Sequence, residues 1–186
     1  MIQPRDPIFP GAAVMAGKKV APDAINLLMQ DHRMVLFYFE AYERASDAER
    51  RELERQIAIN LLAHMALEEE IFYPAVLGQL DDQELVGGSY DDHDEARELL
   101  QRLGEPSLGS DERLQHVREL KLSIQEHVET EETELFPRLR EVSFDAVSVG
   151  KAMAVRRPET VAGLVGKPLP FAEDAEVEDT EARSVH

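Results

Sequence analysis

Residues 64–74 have the sequence HMALEEEIFYP, and residues 127–137 repeat its pattern as HVETEETELFP. In both stretches a histidine is followed by glutamates four and five residues later, and then by an aromatic residue and a proline at the same offsets. An Asp-His dipeptide stands upstream of each stretch, at residues 31–32 and 92–93. Because this spacing is nearly the same in both halves, we interpret the chain as two copies of one helical hairpin.

Apolar residues recur every three or four positions around this repeat, which is the period of an amphipathic helix. The predicted helices cover about 23–45, 47–73, 81–103 and 111–136, with a short fifth helix over about 143–156. The connections are short, so neighbouring helices should be antiparallel. We predict an all-α protein, an up-down-up-down four-helix bundle built from two repeated helical hairpins.

Both ends of the chain differ in composition from this helical region. Residues 1–21 are rich in proline and glycine, and residues 171–186 contain six acidic residues against one arginine. Such segments lack the apolar residues that a packed core requires. We predict a flexible N-terminal arm at 1–21, the bundle with its short fifth helix at 22–156, and an acidic disordered tail at 157–186.

The composition excludes several functional classes. The chain has 186 residues, with 20 basic and 38 acidic side chains and a formal net charge of −18 at pH 7. This balance argues against binding to nucleic-acid phosphates or to an anionic membrane surface. The absence of cysteine excludes disulfide scaffolds, thiolate metal sites and cysteine nucleophiles. Without a signal-peptide pattern or a spanning apolar run, we expect a cytoplasmic protein.

Six polar residues fall in the apolar stripes of the four predicted helices, where they should point inward. They are His32, His64, Glu68, His93, His127 and Glu131. Residues four apart lie one above the other on a helix face, so each His-x-x-x-Glu pair can reach one metal ion or two adjacent ions. Counted from the predicted turns near residues 46 and 107, the two hairpins place their histidines at matching depths.

A buried carboxylate without a partner is costly, and no lysine or arginine occupies the matching stripe positions. A pair of metal ions explains the whole set, since neutral imidazoles bind metals and a carboxylate can bridge two cations. A single inward histidine is more often a structural residue. Six such residues in two matching copies favour a metal site, and no separate catalytic residues are found.

Other residues near these stripes are assigned different roles. His116 shares the face of His127 but lies about 16 Å away along the helix axis, so it is left out of the ligand set, as is His186 in the tail. Glu69 and Glu132 lie about 100° further around their helices. We interpret them as solvated side chains, with support of a ligand histidine as the alternative.

The aromatic and proline residues that end each motif are interpreted as structural. Tyr73 and Phe136 should pack at the helix ends, and Pro74 and Pro137 should terminate the two helices.

Over about residues 22–142, the paired His-x3-Glu-Glu motifs and the upstream Asp-His dipeptides resemble the hemerythrin-like, HHE cation-binding family. The resemblance implies a non-haem di-iron centre in a four-helix bundle. It implies terminal ligation by His32, His64, His93 and His127, and bridging by Glu68 and Glu131. The implied cofactor is two iron ions joined by an oxo or hydroxo group, with manganese as the alternative metal, because His/carboxylate sites accept both.

The sequence departs from the oxygen-carrying members of that family at two points. Those members have a second histidine four residues after the third-helix histidine, where this chain has Arg97, and they end the fourth-helix motif with aspartate at a longer spacing. The chain therefore resembles the four-His, two-Glu branch, which includes iron-sensing modules and cysteine-containing iron–sulfur-cluster repair proteins. We interpret Arg97 itself as solvent-exposed. The missing histidine favours reaction with an oxidant, peroxide first, over reversible O₂ carriage.

The sequence is consistent with two functions of different classes. The first is a non-haem di-iron protein that binds or reduces O₂, peroxide or NO, in oxidative or nitrosative stress or in iron homeostasis. The alternative is an iron- or oxygen-sensing regulatory module without turnover, and metal storage is a weaker third. The expected ligand is a small diatomic molecule or peroxide, and the expected protein-facing element is the acidic tail. No nucleic-acid or membrane partner is expected.

Overall fold

The computed structural model describes residues 23–80 and 82–166, and all regular secondary structure in these ranges is helical. The α-helices are α1 Ala24–Arg44, α2 Asp47–Leu67, α3 Tyr73–Leu77, α4 Gln83–Leu103, α5 Ser110–Thr130, α6 Phe136–Glu141 and α7 Ala146–Leu164. Two π-helical turns, π1 Glu68–Phe72 and π2 Glu131–Leu135, join α2 to α3 and α5 to α6. The predicted all-α class is confirmed.

Side-chain caps define where the long helices begin. Asp23 accepts a hydrogen bond from the Asn26 backbone N–H, and the Ser46 backbone N–H donates to the Glu49 carboxylate 2.9 Å away. These contacts satisfy backbone groups that a helix start leaves without partners. Two residues join α1 to α2, and these two helices pack together, as do α4 and α5.

Two apolar clusters fill the interior. One includes Phe39, Leu61 and Leu100, and the other includes Leu28 and Phe72. The predicted inward histidines lie between these clusters along each helix, since His32 stands between Leu28 and the apolar residues that follow it. The fold therefore places a polar layer between two apolar ones, where the local dielectric is low.

The π turns correct the prediction that Pro74 and Pro137 end their helices. At each turn the helical hydrogen bonding shifts by one residue: the Tyr73 N–H donates to the Glu68 carbonyl and the Phe136 N–H donates to the Glu131 carbonyl. Each proline then lies in the first turn of a new short helix, where its missing N–H has no partner to lose. Single π turns within helices are often found at functional sites.

The fifth helix is longer than predicted. α7 extends to Leu164, so residues 157–164 are helical, and the predicted boundary between bundle and disordered tail at 156/157 is wrong. Pro158 lies inside this helix; ion pairs from Arg156 to Glu70 and from Arg157 to Asp31 hold the preceding turn against π1 and α1. The predicted arm and the tail beyond 166 lie outside the described residues.

None of the helices in the described ranges is long and apolar enough to cross a bilayer.

Deleting residues 167–186 is expected to change helicity and melting temperature little. The segment has no apolar period and carries the acidic run at 171–186, so its composition gives it little to bury. Far-UV circular dichroism and thermal melts of the truncated and full chains measure the effect. A drop of more than about 5 °C would show that this segment docks on the helices, since that corresponds to over 1 kcal/mol for a chain of this size.

Candidate metal centre

The structure brings all six predicted ligand residues together in the polar layer, each on its predicted helix or at the π turn that follows it. Their exposed fractions are His32 1%, His64 5%, Glu68 0%, His93 1%, His127 2% and Glu131 0%. Polar side chains this deeply buried are rare unless they are paired or bind a metal.

The two glutamates lie at the middle of the cluster, and each faces two imidazoles. Glu68 Oε2 lies 3.0 Å from His64 Nε2 and 3.2 Å from His93 Nε2. Glu131 Oε2 lies 3.3 Å from His32 Nε2 and 3.7 Å from His127 Nε2. The four imidazoles therefore turn the same nitrogen, Nε2, toward two shared carboxylates.

One donor atom from each of five residues lies within 4.8 Å of the others: His32, His64, Glu68, His127 and Glu131. His93 is not in that group, but it contacts Glu68 and its ring centroid lies 4.8 Å from that of His127. The rings of His32 and His64 are similarly close, with centroids 5.0 Å apart. Each hairpin thus contributes a neighbouring pair of histidines.

A second set of carboxylates contacts the outer nitrogens of two histidines across the hairpins. His32 Nδ1 lies 2.9 Å from Glu132 Oε1, and His93 Nδ1 lies 2.8 Å from Glu69 Oε1. An ionised carboxylate only accepts hydrogen bonds, so Nδ1 carries the proton and Nε2 presents a free lone pair inward. Glu69 and Glu132 therefore contact and orient two of the predicted ligand histidines, which was the alternative to the solvated role assigned to them.

The other two histidines have an outer aspartate within their own hairpin. His127 Nδ1 lies 3.3 Å from Asp92 Oδ2, and His64 Nδ1 lies 3.5 Å from Asp31 Oδ2. The sequence repeat contained this signal, because each aspartate is the first residue of an Asp-His dipeptide. The dipeptide alone does not indicate that each aspartate faces the histidine of the neighbouring helix.

Tyr73 corrects the prediction of simple helix-end packing. It is fully buried, and its hydroxyl donates a hydrogen bond to Glu131 Oε1 at 2.9 Å and lies 3.4 Å from His93 Nε2. Burial and the nearby charges of Glu68 and Glu131 raise the pKa of Tyr73, so the hydroxyl keeps its proton. Its counterpart Phe136 has no hydroxyl and stacks on the His32 ring.

Two further predictions concern residues around the cluster. Arg97 is not simply directed to solvent, because its Nη2 lies 2.5 Å from Glu69 Oε1 and its side chain is only 36% exposed. His116 lies outside the cluster, as predicted, with Nδ1 3.3 Å from Glu119 on its own helix. His186 is outside the described residues.

The cluster leaves several buried polar atoms without a hydrogen-bond partner in the structure. They include both Glu68 oxygens, Glu131 Oε2 and the Nε2 atoms of His32, His64 and His127. Within residues 23–80 and 82–166, no lysine or arginine nitrogen forms an ion pair with either central carboxylate. Unpaired buried acceptors of this kind are costly, and cations between them would satisfy the set.

The pKa of Glu68 shows the same lack of positive charge. Burial, together with the adjacent Glu131 carboxylate, raises the pKa of Glu68 well above its usual value. For Glu131, burial also acts to raise the pKa, but His127, His32 and His64 outweigh it and lower that pKa. Burial lowers the pKa of His64 to about 4, so this imidazole stays neutral and available as a ligand near pH 7. The residues present fit a His/carboxylate metal centre.

A cavity of about 10 Å³ adjoins the cluster. Its walls include the four histidines and apolar side chains such as Leu61, Met65 and Ile124. That volume is about what one water molecule requires. The space beside the cluster is therefore no larger than about one water molecule.

Comparison with known proteins identifies the family. The model of the hemerythrin HHE cation-binding domain matches residues 23–139. A protein of Nostoc sp. (strain PCC 7120) named DNA nickase is 33% identical over 135 residues, which are 70% of this chain and 37% of that protein. The chain thus spans little more than a third of that relative's length.

The crystal structure of an HHE cation-binding domain-containing protein from Mycobacterium kansasii has the same fold. The TM-score is 0.63 at 20% sequence identity, and the match covers 76% of this chain and 88% of that one. The family match, which covers more than half of the chain and both motifs, shows that the chain belongs to the hemerythrin HHE cation-binding domain family.

Proposed function

We propose that this protein is a non-haem di-iron protein that binds or reduces O₂, peroxide or NO, in oxidative or nitrosative stress or in iron homeostasis. The observation that carries the proposal is the cluster of six buried donor residues, five of which have buried side-chain atoms without a hydrogen-bond partner. Two metal ions match two pairs of histidines and two central carboxylates. Iron is the proposed metal and manganese the alternative.

The proposal includes the arrangement of the helices. We infer that α1, α2, α4 and α5 form an up-down-up-down bundle of two related hairpins. The short connections within each hairpin support it, as do the contacts of α1 with α2 and of α4 with α5. The matching positions of the two π turns and of the two aspartate–histidine pairs support the relation between the halves.

In this proposal the residues that would hold the ions are His32, His64, Glu68, His93, His127 and Glu131. Adjacent iron ions would supply electrons and open coordination positions for a small oxidant. The protein orients the imidazoles through their outer carboxylates, and its two apolar clusters exclude bulk water. Tyr73 keeps a proton on its hydroxyl oxygen beside Glu131, at the edge of the cluster.

Peroxide is the proposed first substrate. The position one turn after His93 holds Arg97, whose guanidinium pairs with Glu69 and does not enter the cluster. α4 thus supplies one inward donor, whereas the corresponding helix of the oxygen carriers supplies two. The difference leaves more coordination positions for an exogenous ligand. The small cavity beside the histidines favours a small ligand over a large one.

Iron-loaded protein is expected to consume hydrogen peroxide with release of O₂, a disproportionation that requires no external reductant. Peroxide loss and gas release are measured for the wild type, for His64→Ala and for His116→Ala. His64→Ala should lose the activity, because it removes an inward donor, and His116→Ala should keep it. A stable, oxygen-reversible adduct without peroxide consumption would replace this proposal with a carrier or a sensor.

A sensor without turnover is the second candidate. It is favoured by the ion pair between Arg157 of α7 and Asp31, because Asp31 also faces His64. α7, which carries none of the six cluster residues, is therefore linked to the cluster through Asp31. Metal-dependent binding of a protein partner, without peroxide loss, would favour this function, and the acidic C-terminal segment is the proposed partner-facing element.

The name of the Nostoc relative belongs to a protein of which this chain spans only 37%. A net charge of −18 gives the chain no excess of positive charge with which to bind a phosphate backbone. We therefore propose no nucleic-acid partner, and for the same electrostatic reason no anionic membrane partner.

A further inference from the structure

α7 packs against the side of the protein that carries the metal centre. It contacts α1, α2 and π1, and its Met153 is fully buried in the apolar cluster that contains Phe72. The next turns place two arginines, Arg156 and Arg157, over neighbouring acidic residues. α7 is thus held against the face of the protein that carries π1, the turn that begins with the glutamates of the first motif.

The two arginines bind carboxylates of different kinds. Arg156 forms hydrogen bonds of 2.7 and 3.2 Å to both oxygens of Glu70, which contacts none of the histidines. Arg157 Nη2 donates to Asp31 Oδ2, and the same oxygen lies 3.5 Å from His64 Nδ1. His64 Nε2 in turn lies 3.0 Å from Glu68 Oε2. A series of polar contacts therefore runs from α7 through Asp31 and His64 to the centre of the cluster, in which the two His64 contacts are close approaches and not formed hydrogen bonds.

The other hairpin lacks this contact. Asp92 holds the matching position beside His127, and no lysine or arginine forms an ion pair with it among residues 23–80 and 82–166. Asp92 is 41% exposed at its side chain, compared with 22% for Asp31. Asp92 is also 3.3 Å from its histidine, whereas Asp31 is 3.5 Å from His64. Of the two aspartate–histidine contacts, the one between Asp31 and His64 is longer, and its aspartate is the one that pairs with an arginine.

We propose that Arg157 is a positioning residue for the metal centre: it fixes Asp31, and through Asp31 the orientation of the His64 imidazole. The inference rests on the proposed metal-binding function. Outer-shell groups that orient a ligand histidine typically change metal affinity by about 10- to 100-fold. Arg157 acts one contact further out, so its removal should have an effect near the lower limit. Arg157 would then influence metal retention without itself being a metal ligand.

The test compares Arg157→Ala with Arg156→Ala, a matched variant one residue away. The two arginines have similar side-chain exposure, 29% and 35%, and each ties α7 to the rest of the protein. The protein is loaded with Co²⁺, whose visible bands report the ligand field, and the metal is withdrawn with excess chelator. Arg157→Ala should release Co²⁺ about tenfold faster, with altered visible bands, whereas Arg156→Ala should stay within about twofold of the wild type.

A double-mutant cycle separates positioning from general stabilisation of α7. If Arg157 acts through Asp31, Arg157→Ala should have no further effect on Co²⁺ release in an Asp31→Asn background. Arg157→Lys, which restores the charge but not the planar fork, should recover part of the retention. Equal release from the Arg156 and Arg157 variants, or additive effects in the cycle, would overturn the proposal. A wild type that binds no Co²⁺ would instead refute the metal-binding function itself.

Discussion

Glu68→Ala and Glu131→Ala are each expected to remove most of the bound metal, whereas His116→Ala should retain it. Both glutamates are fully buried, and each faces the Nε2 atoms of two histidines. Loss of either removes the anionic charge that holds cations between the imidazoles. The effect should exceed the ~100-fold upper range for outer-shell residues, because a donor at the centre is lost.

Metal content after purification from iron-rich medium, and competition with a chelator, measure this difference. Glu68→Gln serves as the isosteric control, since it keeps the side-chain volume but removes the negative charge, and it should also lose metal. Among residues 23–80 and 82–166, the side chain that pairs with His116 is Glu119 on its own helix, so replacement of His116 controls for the loss of a histidine as such. Equal metal loss from the glutamate and His116 variants would contradict the assignment of the cluster.

Removal of the metal should lower the melting temperature by about 10 °C while leaving the protein helical. Ions bound at about 1,000 times their dissociation constant contribute about 4 kcal/mol to the free energy of unfolding. For a chain of this size each kcal/mol corresponds to about 2–4 °C. The metal-free protein should stay folded, because the two apolar clusters are intact and the raised pKa of Glu68 lets this residue take up a proton.

Thermal melts before and after chelation, followed by circular dichroism, provide this measurement. The melting temperature of Glu68→Gln should not respond to added iron, which separates binding at the cluster from binding to surface acids. A wild-type melting temperature that is unchanged by chelation, in protein shown to contain metal, would mean that the ions lie outside the cluster.

The all-α fold and the composition of the cluster were predictable from sequence because two independent patterns agreed. The helical period placed His32 and His64 on apolar faces, and the repeat placed His93 and His127 at equivalent positions. A charged or polar residue in an apolar stripe is a strong signal, since its burial needs compensation. The same reasoning correctly set His116 apart, because depth along the helix depends only on the rise per residue.

The contacts around the cluster were less accessible to such reasoning. Each π turn adds one residue to a helical turn, so the side chains that follow it point in directions that an ideal helical period does not predict. After π1, the Tyr73 hydroxyl reaches Glu131. The position of Glu69 on its own helix predicted a solvent-facing side chain. Its partner His93 lies on a different helix, and a single-helix pattern does not predict a contact between helices. Local propensity opposes the continuation of α7 past Pro158, and the ion pairs that hold the turn before this proline are tertiary contacts of Arg156 and Arg157.

The most direct test of the metal centre is elemental analysis of protein produced with ample iron, together with a near-UV spectrum before and after peroxide. We expect two iron ions per chain and a spectrum that changes when peroxide is added, because two histidine pairs share two central carboxylates. Well under one metal ion per chain, in folded protein with both glutamates intact, would contradict the account.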